Sequence, residues 1–428
     1  MNVHRSVFIS SMAIFSIVSM VLYWYAPSVT AHFEGDSIRY YFIAQHITLL
    51  KEIPLEVLGY PVFLSLIYHL ISHSMVYIIL FQVLLSIGCL LLLRRIMRFF
   101  VGIEGETIVT ILWLLNLGFL IYSQLLLIEV ILAFFYLWFI ERILTFYYKP
   151  SYRFIIEAGF ILGFSILLRP ASLFYACCFA PFLLFIQKKS FFYRFIACLL
   201  FLGSFYVPIG FYMTINYWLF NQFIICPVMN VNLFHFFYPK LIAALKEQEI
   251  FNHPFMLLIN KDITQQHITI DTQRNLFRLM MTYPFISIKI WLINMLKSAI
   301  GLYQTQWKLY FELADQATSY FTLPGSWFVR MKLYICSGTI ALWLQGLGWY
   351  ELIYLIVEYV SAGIGSLWLL AQRKIWLFFF AISFVFYGLL ITGPDGSGRF
   401  RMMIEPWLLV LTALGLTLLM VKNKKKVF

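Results

Sequence analysis

Residues 75–93 read MVYIILFQVLLSIGCLLLL, nineteen positions without a charged side chain, and run directly into Arg94-Arg95-Ile96-Met97-Arg98. A helix needs roughly 20 mainly apolar residues to cross the hydrocarbon layer of a bilayer. Basic residues gather where such a helix emerges on the cytoplasmic side. The stretch therefore predicts a membrane-spanning helix whose basic end is cytoplasmic.

The same pattern extends outward along the chain. Residues 57–93 contain no Lys, Arg, Asp or Glu, and neither do residues 195–239. With 62% hydrophobic and 12% charged residues, the composition departs from that of a soluble enzyme. Apolar stretches recur from the first, Val7 to Tyr25 behind Arg5, to the last, residues 406–421. They predict an all-α polytopic membrane protein with about 11–13 transmembrane helices, short external interfacial helices and one transmembrane domain over residues 1–428. The first stretch lacks a small-residue cleavage site and reads as a retained signal-anchor helix.

The formal charge of +12 is distributed between spans rather than gathered in one recognition patch. This excludes a nucleic-acid reading and makes anionic membrane lipids the natural neighbours. Arg94 to Arg98, Lys188-Lys189 with Arg194, Arg373-Lys374 and Lys422 to Lys426 mark the cytoplasmic side. That parity places Asp36, Arg169 and the turn at 393–400 outside. The six cysteines have neither Cys-x-x-Cys pairing nor metal spacing and read as apolar filling. His69 and His73, four apart, lack the further ligands of a zinc site.

Three polar segments interrupt this apolar background. The first external loop, 26–58, carries Glu34-Gly35-Asp36-Ser37-Ile38-Arg39-Tyr40-Tyr41 and a helix predicted to start near Ser37. Asp36 suits either a general base that takes a proton from a hydroxyl or the N-cap of that helix. Glu34, two residues earlier, forms with it a Glu-x-Asp pair that suits a divalent cation, Mg²⁺ or Mn²⁺, if further oxygen ligands converge. The large loop 217–283, with amides, aromatics, His267, Arg274 and Arg278, suits sugar and phosphate recognition. The last external turn, Gly393-Pro394-Asp395-Gly396-Ser397-Gly398-Arg399-Phe400-Arg401, is predicted to bend toward a ligand, with both arginines hydrated and aimed at a phosphate.

Two further charges stand inside apolar sequence. Glu129 interrupts residues 107–140, and a carboxylate there is costly unless it finds water or a partner. It reads as a second acid, or as the interfacial end of a helix. Arg169, before Pro170, suits a phosphate or a carboxylate partner.

In their order along the chain, these residues carry a resemblance. Gly35-Asp36-Ser37 with Tyr40, Gly59-Tyr60-Pro61, Glu129, Leu168-Arg169-Pro170 and Gly398-Arg399-Phe400-Arg401 with Pro406 make the sequence resemble the GT-C integral-membrane glycosyltransferases, in particular the protein-mannosyltransferase and aminoarabinose-transferase-like group. The resemblance implies a GT-C transmembrane fold, an external active site and a polyprenyl-phosphate-linked sugar donor. It also implies a glycan, lipid or protein acceptor of the cell envelope, at the periplasmic face of a bacterial inner membrane. Asp36 becomes the expected base and Glu129 a second acid. Arg39, Tyr40, Tyr60, Arg169, His267, Arg274, Arg399 and Arg401 become expected substrate or phosphate contacts. The strict Asp-x-Asp of the family is replaced by Glu34-Gly35-Asp36. A transporter or flippase, or a lipid-linked oligosaccharide ligase, is the competing expectation, because charges inside spans also line transport routes.

Overall fold

The computed structural model describes residues 2–47, 58–186, 190–225, 232–248, 254–256, 259, 270–311, 323–336 and 341–420. Among these residues the regular structure is entirely helical. Six helices are long and apolar enough to cross a membrane, and eight spans result if each of two bent helix pairs counts as one. The chain is a polytopic membrane protein.

The opening stretch lies in α4 (Met75–Phe100), whose 26 residues make a rod of roughly 39 Å at 1.5 Å per residue. Before it come α1 (Asn2–Trp24), the short α2 (Ser37–Gln45) and α3 (Gly59–Leu70). After it, α5 (Gly102–Leu115) and α6 (Leu117–Gln124) are bent by 52°. Asn116 makes that bend, because its side-chain oxygen caps α6 by accepting from the Gly118 and Phe119 amides and diverts the chain from a continuous helix.

The centre of the bundle is α7 (Glu129–Tyr148), flanked by α8 (Tyr152–Leu168), α9 (Tyr175–Leu183) and α10 (Phe191–Phe220). Phe139 of α7 packs edge-on against Tyr175, Phe179 and Phe380. Lipid supplies no hydrophobic drive between helices, so close approach depends on small residues. On α8, Gly159 and Gly163 share one face, where a Cβ would collide with the α10 backbone at Phe201 and Phe205.

The carboxyl-terminal half contains α11 (Tyr238–Glu247), α12 (Ile270–Thr282), α13 (Pro284–Ile300), α14 (Gln304–Tyr310), α15 (Trp327–Cys336), α16 (Leu342–Ala371), α17 (Ile375–Thr392) and α18 (Glu405–Met420). Helices α16 and α18 cross at Gly365 and Gly415, each facing the other helix's backbone.

The charges separate toward opposite ends of the spans. At one end, Arg94 and Arg98 both bind Glu106 at 2.8 and 2.5 Å, Arg142 binds Glu157 at 3.0 Å, and Lys374 stands 4.8 Å from the Trp368 ring. At the other end lie α2, the amino terminus of α7, the α8–α9 turn and the 3₁₀ helix Gly398–Met403. Lys188-Lys189 and the carboxyl-terminal lysines lie outside the described residues.

Candidate functional site

At the end away from the Arg94 and Arg98 pairs, residues distant in sequence converge on Arg399. Its Nη2 donates to Asp36 Oδ2 at 3.0 Å, and its Nε stands 2.9 Å from Glu129 Oε1. Arg169 Nη1 approaches the same Glu129 oxygen at 3.4 Å, and Arg39 Nη2 donates to Asp36 Oδ1 at 3.2 Å. Glu129 is 1% exposed, whereas the Asp36 side chain keeps 36% of its surface. The cluster thus has a buried acid at its floor and an accessible acid at its rim.

Local sequence explains the placement of Asp36. Ser37 Oγ donates to the Glu34 carbonyl at 2.8 Å and accepts from the Glu34 amide at 3.1 Å, closing the turn that begins α2. Gly35 occupies the left-handed region at φ +51°, which a side chain would strain. The Asp36 carboxylate makes no capping bond to the helix. Asp36 does occupy the N-cap position of α2, but its side chain is committed to arginines and the bonds of Ser37 close the turn.

The two acids of this turn meet different fields. Burial alone would raise the Asp36 carboxyl, but Arg399, with Arg39 and Arg169, outweighs it and holds the group below the ordinary carboxylate range. Burial dominates at Glu34 and pushes it up to about 6, against the opposing pull of Arg399. Glu34 Oε2 and Glu129 Oε2 are buried without hydrogen-bond partners. Burial likewise pushes the Tyr40 phenol up to about 12.

Tyr60 is 1% exposed, its hydroxyl donates to Gln82 Oε1 at 2.6 Å, and its ring meets Tyr40 edge-on at 5.4 Å. It supports Tyr40 from behind instead of offering its hydroxyl to a ligand. Gln82 donates onward to the carbonyls of Ser123 and Leu125 at 3.1 and 2.8 Å, fixing the segment that enters α7 at Glu129. Its signal in the sequence is that it is the only amide in residues 75–93.

Several expectations are corrected by position. Arg401 is 1% exposed and buried among other acids, with Nη2 3.0 Å from Glu351 Oε1 and Nη1 donating to the Gly301 carbonyl at 2.8 Å. It is neither hydrated nor directed at the Asp36 cluster. The turn at 393–396 is bolted in place: Asn294 Nδ2 donates to the Gly393 carbonyl at 2.7 Å, and Lys240 Nζ donates to the Asp395 carbonyl at 2.5 Å. The segment 217–283 thus reaches this turn through Lys240. Arg274 is spent on its neighbour Asp271 at 2.9 Å and exposed, so the structure does not bring it into the cluster. His267 lies outside the described residues.

Among the described residues, no three His, Cys, Asp or Glu side chains are arranged to hold a metal ion. Glu34 and Asp36 instead share the field of the Arg399 cation, and Asp36 is engaged by two guanidiniums. The chemistry available is that of a partly exposed carboxylate beside two forked cations at the wet edge of an apolar bundle. No family model, curated protein or solved structure matches this chain.

Proposed function

We propose that this protein is a membrane glycosyltransferase of the GT-C kind, moving a sugar from a polyprenyl-phosphate donor to an acceptor hydroxyl. The observation that carries the reading is Arg399 held between Asp36 and Glu129, with Arg169 alongside. A polyprenyl tail belongs in the bilayer, and its phosphate belongs at the rim of the bundle. Guanidinium forks suit that phosphate and the charge it gains as the glycosidic bond breaks.

In the resting protein Asp36 is a weak base, because Arg399 and Arg39 stabilise its charge. A donor phosphate competes for Arg399 and loosens its hold on Asp36. The carboxylate then accepts the proton of the acceptor hydroxyl as that oxygen attacks the anomeric carbon. One displacement inverts the configuration, and lipid phosphate leaves. Glu129 keeps Arg169 and Arg399 in register for the phosphate, and Tyr40 lines the rim. With the Arg94 end cytoplasmic, the site faces the exterior, as the periplasmic face of a bacterial inner membrane. The acceptor is a cell-envelope glycan, lipid or protein.

The test is turnover of a labelled polyprenyl-phosphate sugar by the purified chain. Loss of a positioned base costs about 10²- to 10⁴-fold in rate, so Asp36→Asn should fold, still bind donor and transfer at a rate reduced by that order. Full transfer by a folded Asp36→Asn protein would remove the base assignment. Donor consumed by the wild type with no transferred sugar would remove the transferase reading.

A further inference from the structure

Behind the Asp36 cluster lies a second group of charges that the proposed chemistry does not use. Glu351 and Glu358 are seven residues apart on α16, two turns along one face. They look toward Glu405, the first residue of α18, and toward Arg401. All four are at most 2% exposed.

The bonds distinguish the three acids. Glu351 receives Arg401 Nη2 at 3.0 Å and the amides of Tyr303 and Gln304 at 2.6 and 3.0 Å. Glu405 receives Asn116 Nδ2 and stands 3.5 Å from Arg401 Nε. Glu351 has donors on both oxygens, and Glu405 has one on Oε1. Glu358 has none: both of its oxygens are buried without a hydrogen-bond partner. Its carboxyl faces that of Glu405, whose Oε2 also lacks a hydrogen bond.

No other group facing Glu358 hydrogen-bonds to it, and the Tyr303 hydroxyl, also without a hydrogen bond, stands with Glu405. Arg401 gives Nη2 to Glu351 and Nη1 to the Gly301 carbonyl, while its Nε makes no hydrogen bond and stands 3.5 Å from Glu405 Oε2; Glu351 adds a further negative charge. From α16, the Tyr354 hydroxyl donates to the Leu112 carbonyl at 3.1 Å and the Tyr359 hydroxyl to the Ala299 carbonyl at 2.6 Å. Tyr303, between α13 and α14, lies with its ring under Arg401, 3.8 Å from the guanidinium carbon. Two ionised carboxylates are acceptors only and repel each other. One proton turns the pair into a donor and an acceptor.

We propose that this cluster is a proton-binding site, in which one proton is held between the carboxyl groups of Glu358 and Glu405 while Arg401 and Glu351 form the adjoining ion pair. Loading forms one carboxyl O–H bond with a proton taken from water, and release returns that proton to water. Nothing is oxidised or reduced. The site is linked to the outer cluster through the backbone, because Arg399 and Arg401 belong to the same 3₁₀ helix. A second uncompensated negative charge beside Arg401 would alter how firmly that helix is seated.

The experiment is difference infrared spectroscopy of the full chain in detergent, wild type against Glu358→Gln, together with thermal unfolding. Glutamine reproduces the shape and neutrality of the protonated acid. The variant should therefore fold, keep the wild-type unfolding midpoint at neutral pH and lose one protonated-carboxyl C=O band. Raising the pH should lower the wild-type midpoint more than that of the variant. A wild type with only carboxylate bands, or a Glu358→Gln chain that does not fold, would overturn the proposal. Stabilisation of the wild type, but not the variant, when sodium replaces choline would overturn it in favour of a monovalent cation.

Discussion

Asp36 and Glu34 are two positions apart on one turn, and their acidities differ because burial outweighs Arg399 at Glu34 whereas the arginines outweigh burial at Asp36. Glu34 moves from an ordinary 4.5 to about 6, so between those values the folded chain holds a proton that the unfolded chain has lost. Stability therefore falls as pH rises through that window and is level above it. At about 1.4 kcal/mol per unit the full effect is on the order of 2 kcal/mol. Glu34→Gln should flatten the unfolding midpoint between pH 4.5 and 6 relative to wild type, and an unchanged slope would remove Glu34 as the group responsible. Charges in apolar sequence were the legible part of the site, because burying a charge without a partner is too costly to be incidental. Glu129 and Arg169 announced themselves in that way, Asp36 and Arg399 stood in polar external segments, and the four meet. Arg401 misled because its side depends on backbone geometry: with three residues per turn in a 3₁₀ helix, positions two apart point to different sides. One arginine faces the rim and the other faces the interior.

At the scale of the helix, glycines decide how the charges meet. A Cβ at Gly415 would run into the Ser361 backbone and one at Gly365 into the Leu411 backbone, so α16 and α18 are in contact at these points. That contact brings the acids of α16 opposite Glu405 and Arg401. Gly363, on the same helix, has open space around the position of a Cβ. Gly415→Val should lower stability by about 1–3 kcal/mol, the usual cost of forcing volume into a packed interface. Gly363→Ala should be neutral or stabilising by up to about 1 kcal/mol through helix propensity. The pair is read by thermal or denaturant unfolding in one detergent, and equal losses would show that the crossing does not depend on close approach. Helix existence was legible from uninterrupted apolar runs, but the crossings were not. A glycine in an apolar run looks the same whether it faces lipid, as open space at Gly203 suggests, or another backbone, as at Gly159.

Across the whole molecule, the arginine–glutamate pairs around Glu106 and Glu157 and the cluster around Arg399 lie at opposite ends of the same helices. Helix α7 shows this within one element: Glu129 opens it beside Arg399, and Arg142 lies about three and a half turns further on, bound to Glu157. The basic groups that suggested sidedness in the sequence therefore correspond to a physical end of the bundle where the structure describes them. Two exposed positions test whether a membrane lies between these ends: Val29, before α2, and Lys149, after α7. In a background without the native cysteines, Val29→Cys and Lys149→Cys should react with an impermeant thiol reagent from opposite sides of sealed membrane vesicles. Lys149→Cys should be the one protected from outside in right-side-out vesicles, because positive charge favours the cytoplasmic side. Labelling of both from one side would mean that the helices between them do not cross together. Reversed labelling would place the Asp36 cluster on the cytoplasmic side, where a donor must be supplied from within the cell, and the external transferase reading would fail with it.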